Sequence, residues 1–225
     1  VLVVAVGAVT GGPWLATRLT DRPAPPPLTL SSSSAPAIDP DAPLDPDGTW
    51  VVADDSQAGY RIGETLAGAQ AEVVGRTAEV NGSVTVAGGA LTEARVTVGA
   101  DSISTDQAAR DVYFRRALNT TTYPQASFTL SAPVDVSAIA AQQVPVEVAA
   151  PGRLTIGGTT VDATATLKVQ RTAGGLEVAG TIPVTLTDLG LTAPELPGLS
   201  VDPQGAVEVL LVLVRDDARG GGATD

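Results

Sequence analysis

Cysteine, histidine and methionine are missing from this chain of 225 residues, and lysine occurs once, at Lys168. Without cysteine or histidine there are no disulfides, no thiolate chemistry, no histidine-based triad and few ways to build a zinc site. The routes left to catalysis are carboxylate pairs, a Ser–Lys dyad and metals held by oxygen. Lys168 falls in the middle of an alternating run with no serine near it. Asp188, Glu195 and Asp202 share the loop 188–205 and could meet Asp111 at one rim. Solvation is the ordinary reading of such a loop, and a Ca²⁺ or catalytic role the rarer one. The turn GGTT at 157–160 leads into a strand rather than a helix, so it is no phosphate loop. Neither an enzyme nor a bound metal or cofactor is expected. A basic stripe is lacking too. The net charge is −12 and the isoelectric point about 4.3, which argues against nucleic acid as a partner and means that charge alone will not hold the protein on an anionic membrane.

What is present divides the chain into four parts. Residues 1–19, VLVVAVGAVTGGPWLATRL, are apolar up to Arg18. A membrane span needs about 20 such residues, and Trp14 followed by Arg18 has the character of an interfacial exit. The run reads as a transmembrane signal-anchor with a truncated start, since no methionine opens it; the tail of a signal peptide is the other reading. Residues 20–47 are rich in Pro, Ser and Asp, lack apolar periodicity and read as a solvated linker. Residues 48–216 carry the fold. The charged, Gly-rich tail 217–225 is expected to be disordered.

Within 48–216 almost every segment alternates. Ala58, Tyr60 and Ile62 share one face, as do Val84 and Val86, then Ala94, Val96, Val98 and Ala100. Val144, Val146 and Val148 continue through a bend at Pro151–Gly152 to Leu154 and Ile156. Val161, Ala163, Ala165, Leu167 and Val169 follow, and after Gly174–Gly175 come Leu176, Val178, Ile182, Val184 and Leu186. Double-glycine turns between alternating runs signal hairpins, so eight to ten antiparallel strands with one apolar face are expected. Such a sheet closes into a barrel or folds into a sandwich. The apolar faces are mostly Val and Ala and aromatics make up 3% of the chain, so a barrel of this composition would keep its lumen open. The last strand, Ala206–Val214, is apolar on both faces and needs cover on both, from the segment Tyr113–Leu118 or from a partner, with internal cover the favoured reading.

One stretch organises the rest: Asp101–Leu130, DSISTDQAARDVYFRRALNTTTYPQASFTL. It leaves a strand at Ser102–Ile103 and passes through a partly helical segment, 105–122, that Thr105 can cap with Asp106 in the first turn. It turns at Tyr123–Pro124 and enters a strand at Ser127–Leu130. The order Ser-Ile-x-Thr, Arg-Asp, aromatic-basic helix, Tyr-Pro-x-x-x-Phe resembles the YceI-like family of polyisoprenoid-binding proteins, in particular its membrane-anchored type known from actinobacteria. Read alone, Arg110 and Asp111 are equally a local salt bridge on a crossover helix. The resemblance continues in Gly48–Trp50, Gly75–Gly89, Gly152–Leu167 and Thr181–Leu196, and so covers 48–216. It departs where the family's His is Gly157, where its Lys is Asp162 or a neighbour, and where its aromatic before Gly190 is Leu189.

The resemblance implies an all-β protein: a closed antiparallel lipocalin-like barrel with a short helical crossover, preceded here by a transmembrane helix. It implies a polyisoprenoid lipid, an isoprenoid quinone or polyprenyl phosphate, held non-covalently in the lumen. The expected lining is Tyr60, Ile62, Val84, Val96, Phe114, Phe128, Leu130, Leu167, Val178 and Val209, with Arg110, Arg115 or Arg116 meeting a headgroup. Burying each CH₂ contributes about 0.8 kcal/mol, so affinity would come from chain length. The expected setting is a single-pass protein of the cell membrane with its barrel on the extracytoplasmic side, because the acidic linker lacks the Lys/Arg excess of cytoplasmic loops. The alternative is a docking subunit of a membrane protein complex with no carrier role.

Overall fold

The computed structural model describes residues 24–31, 45–141, 145–193 and 197–216. The apolar run 1–19, the tail 217–225 and much of the linker lie outside the described residues. Among those described, no helix is long and apolar enough to cross a membrane.

One antiparallel sheet makes up the fold. Eight strands follow one another around its wall: β1 (Gly48–Val52), β4 (Val80–Ala87), β5 (Ala90–Gly99), β6 (Gln125–Leu130), β8 (Val146–Ile156), β9 (Thr159–Thr172), β10 (Gly175–Thr185) and β11 (Leu199–Arg215). The ring closes because β1 returns to β11, with Trp50 opposite Arg215 and Val52 opposite Leu213. At 17 residues β11 is long enough to hold two partners along one edge. Leu213–Arg215 pair with β1, while Leu199–Leu210 pair with β2 (Gln57–Leu66), which turns back into β3 (Ala69–Thr77). The two-residue strand β7 (Val134–Asp135) adds to β5.

The two-residue period of the sequence becomes the inside and outside of the wall. In β8, Val148, Ala150 and Leu154 are buried while Glu147, Ala149 and Arg153 are exposed. β8 runs through Pro151–Gly152 without a break in pairing, and the Pro151 carbonyl accepts from Ser131 N at 2.9 Å. Two readings of the crossover change. Pairing at Ser102–Ile103 reduces to an isolated bridge between Ser104 and Arg76, because β5 ends at Gly99. Thr105 is not the helix cap. The crossover helix α1 (Ala108–Ala117) starts after Gln107, and the Thr105 hydroxyl lies between Gln107 N (3.1 Å) and the Asp111 carboxylate (2.7 Å).

One end of the barrel is sealed. Val136 and Ile139, the latter in the short helix α2 (Ala138–Ala141), join Trp50, Val86, Val148 and Leu176 in the main core. Trp50 is 1% exposed. Its indole N–H donates to Pro46 O at 2.9 Å, and the Arg215 guanidinium lies 4.7 Å from the ring centroid. Arg215 in turn donates to the carbonyls of Asp47, at 2.6 Å, and Asp45. The opposite end carries α1, the β2–β3 turn and residues 186–193, which follow β10.

Cover for the outer face of β11 comes from a source the sequence did not reveal. The helix α1 lies at the barrel end. Residues 24–31, inside the stretch read as linker, are bonded instead to the strands on both sides of β11. The carbonyls of Pro25 and Pro26 accept from Arg61 (2.8 Å) and Arg76 (2.6 Å) on β2 and β3. Ser31 donates through N and Oγ to Glu177 on β10 at 2.8 and 2.9 Å, and its carbonyl accepts from Gln170 on β9 at 3.0 Å. Since β11 lies between β10 and β2, this strap crosses it. Leu28 and Leu30 of the strap and Leu210, Val212 and Val214 of the strand are all half-buried. Two carboxylates on this outer wall are buried as well. Glu208, 3% exposed, takes Arg61 Nε at 2.7 Å and Arg76 Nη2 at 2.9 Å, and Glu177 takes the Ser31 and Gln170 donors. Charges drawn out of water persist only with such partners.

Candidate functional site

The inward side chains do not fill the barrel. They leave a cavity of about 670 Å³, within the range that takes one small ligand. Its wall is aliphatic along most of its length, and its floor includes Val136 and Ile139. All ten residues expected on the lining stand on this wall: Tyr60, Ile62, Val84, Val96, Phe114, Phe128, Leu130, Leu167, Val178 and Val209.

Glycines seat the large rings. Gly75 lies directly across from Tyr60 in the β2–β3 register, and a Cβ there would overlap the Tyr60 ring and the Ile103 side chain. Gly152 does the same for Phe128. Each missing side chain lets an aromatic lie flat against the neighbouring strand, a known use of glycine inside a sheet. Tyr60 then stacks on Phe114 of α1, with centroids 4.8 Å apart and planes 9° from parallel. Helix and wall are thus joined at the mouth.

Charge at the cavity is confined to that mouth. Arg61, Glu64 and Arg110 border the space, but Arg61 turns outward to Glu72 (2.6 Å) and Glu208. Arg110 is not paired with Asp111, its neighbour in sequence. It gives one Nη to Glu64 of β2 and the other to Asp106, both at 2.7 Å. Asp111 instead accepts from Thr105 N and Oγ1, at 2.8 and 2.7 Å, and pins the start of α1. Arg115 is half-buried and Arg116 exposed, and neither lines the cavity.

Burial pushes the Tyr60 phenol from 10.0 up to about 12; Arg110 opposes the shift and Asp111, Glu64 and Asp106 add to it. The folded protein therefore holds this proton more tightly than the unfolded chain. The stability it contributes is intact below pH 10 and is lost as pH rises from about 10 to about 12. Tyr60→Phe is expected to remove a late step from the alkaline absorbance titration and to flatten stability over that window. A titration in which Tyr60→Phe leaves the late step in place would show the phenol to be solvated.

Other wall residues escaped the sequence reading. Leu189 and Leu191 come from the segment that follows β10 and Leu118 from the end of α1. Leu189, where the family's aromatic was expected, is 4% exposed. Gly157, in place of the family's His, takes φ +55 in the β8–β9 turn against Leu118, and Asp162 is exposed on β9. Leucines at 189 and 191 inside a polar loop were the signal available. Among the described residues, no three carboxylates come together as a metal site; Glu195 lies outside them.

The fold has solved counterparts. A polyisoprenoid-binding domain from Saccharophagus degradans, implicated in plant cell wall breakdown, superposes with a TM-score of 0.60 at 20% identity, over 75% of this chain and 98% of its own. BcnA of Burkholderia cenocepacia superposes with a TM-score of 0.52 at 15% identity, over 68% of this chain and 94% of its own. At these identities the likeness is one of fold. A search of curated proteins returns no match. The family model described as YceI-like domain matches residues 50–213, which span the whole barrel wall from Trp50 on β1 to Leu213 on β11, and on that match this chain belongs to the YceI-like family.

Proposed function

We propose that this protein is a binding protein, tethered to the membrane by its N-terminal apolar run, that holds the prenyl tail of a lipid in the barrel on the extracytoplasmic side. The observation that carries the reading is the cavity: long, aliphatic, closed at one end and bordered by charge only at the other. An isoprenoid chain matches such a tube, gaining affinity with each buried carbon less the cost of ordering it. In this reading the ten wall residues touch the tail and Arg110 and Tyr60 meet the head. The apolar run 1–19 and the acidic, lysine-free linker support the tether and its side.

Between the two lipid classes, the mouth favours an uncharged head. A guanidinium held by two carboxylates, Glu64 and Asp106, belongs to a cluster of net negative charge and has no positive charge to spare for a phosphate. A phenol held protonated at Tyr60 donates well to a quinone carbonyl or an alcohol. An isoprenoid quinone is therefore expected to bind at least about tenfold tighter than a polyprenyl phosphate of equal length, a difference of about 1.4 kcal/mol. Glu64→Gln with Asp106→Asn, which frees Arg110, should narrow the gap. Tighter binding of the phosphate to the unaltered chain, in a titration with both lipids, would overturn the assignment of the head.

A further inference from the structure

The exposed large apolar side chains among the described residues are Val112 (59%), Tyr113 (42%) and Tyr123 (43%). All three belong to the crossover: two on α1 and one in the turn that leads to β6. Val112 and Arg116 are four residues apart and so lie on one helix face, with Arg115 beside them. Among the described residues neither arginine is in an ion pair, whereas Arg110 is held by Glu64 and Asp106. In a chain of net charge −12, two uncommitted guanidiniums next to exposed aromatics stand out. The segment that follows β10 reaches α1 directly, where the Tyr113 hydroxyl donates to Thr192 O at 3.2 Å, and Asp202 lies exposed beside Gly63 of β2.

The strap supplies a second, independent observation. Its first residues lie over β2 and β3, where Arg76 exchanges backbone hydrogen bonds with Ser104 at 2.9 and 3.0 Å, just ahead of α1. Its last, Ser31, lies on Glu177 and Gln170, beside the β9–β10 turn at the sealed end. The chain preceding residue 24 therefore departs from the half of the barrel that carries α1, and Arg18 and the apolar run stand only a few residues upstream.

We propose that the α1 side of the mouth (Val112, Tyr113 and Tyr123 with Arg115 and Arg116) docks on an anionic lipid bilayer, so that the cavity opens onto the membrane rather than into water. The proposal rests on the carrier reading above and adds its geometry. Aromatic rings with polar tips favour headgroup depth, and arginines beside them add attraction to anionic lipid. The strap, by fixing where the upstream chain leaves, turns the mouth rather than the sealed end toward the bilayer. A prenyl tail would then pass from bilayer to lumen without crossing water.

The lack of cysteine makes the test clean. The full chain carrying Val112→Cys or, as a control at the sealed end, Ala173→Cys takes one fluorophore each and is reconstituted into phosphatidylcholine vesicles with and without phosphatidylglycerol. Quencher-bearing lipids then report proximity. The label at 112 is expected to be quenched several-fold more than that at 173, and more with phosphatidylglycerol present. Arg116→Glu in the Val112→Cys chain should bring quenching down towards the control. Equal quenching at both sites, stronger quenching at 173, or burial of the 112 label against a second copy without vesicles would overturn the proposal. Solvent extraction of the same samples separates the two ideas. Prenyl lipid recovered with the 112 label unquenched defeats the docking surface alone, and a quenched label with no lipid recovered defeats the carrier alone.

Discussion

Replacing Trp50 with alanine is expected to cost about 3–5 kcal/mol, which for a domain of this size is a large share of the whole stability. The reason lies in where the ring sits. Trp50 is where β1 meets both β4 and β11, paired with Val84 on one side and Arg215 on the other. The side chain is 1% exposed, packs into the core at the sealed end and keeps its N–H bonded to Pro46. Arg215 covers the ring and reaches the carbonyls of the incoming chain at Asp45 and Asp47. Alanine removes the ring, leaves a void where the barrel closes, and strands the guanidinium. Denaturant unfolding followed by far-ultraviolet circular dichroism checks this, with Val112→Ala as the exposed control, expected within about 0.5 kcal/mol of the parent. A loss below about 1 kcal/mol for Trp50→Ala would mean that β1 is not what closes the barrel.

The second large effect is on binding. Ala165→Trp and Val96→Trp are each expected to abolish lipid uptake while costing about 1–3 kcal/mol of stability from overpacking. Ala165 is 3% exposed and packs with Ala150, Leu154 and Ile182, where the wall is built from small residues. Val96 is paired with Phe128 across β5 and β6. An indole at either place projects into the tube, and a tail that gains affinity by length loses every carbon beyond the block. The two sites lie on different strands, so loss of binding at both, with folding intact, points to the lumen rather than to one patch of wall. Variants that fold and bind lipid like the parent would place the ligand outside the barrel.

Much of this was legible in the residues, for a physical reason. Strand parity is local: a run such as Val161, Ala163, Ala165, Leu167, Val169 states which side chains share a face without knowing its neighbours. That parity put nine of the ten expected residues on the cavity wall, and Phe114 of α1 is the tenth. It did not by itself separate a barrel from a sandwich, because closure depends on β1 meeting β11, a pairing across some 160 residues. The hairpin into β3 was missed because its turn uses Ala67 at φ 52, a conformation alanine seldom adopts, before Gly68. The strap was hidden in a different way. Its anchors at Pro25 and Pro26 are backbone carbonyls, which any sequence possesses, and composition called the stretch a solvated linker. The pairing of Arg110 with Glu64 rather than Asp111 was equally out of reach, since the two lie 46 residues apart.

The most direct test is to purify the full chain from its own membranes, extract it with organic solvent and identify what is released by mass spectrometry. The prediction is a prenyl lipid with an uncharged head, close to equimolar with the parent chain and absent from Ala165→Trp. Recovery of no prenyl lipid from the parent, or of equal amounts from parent and blocked variant, would contradict a lipid held in the barrel.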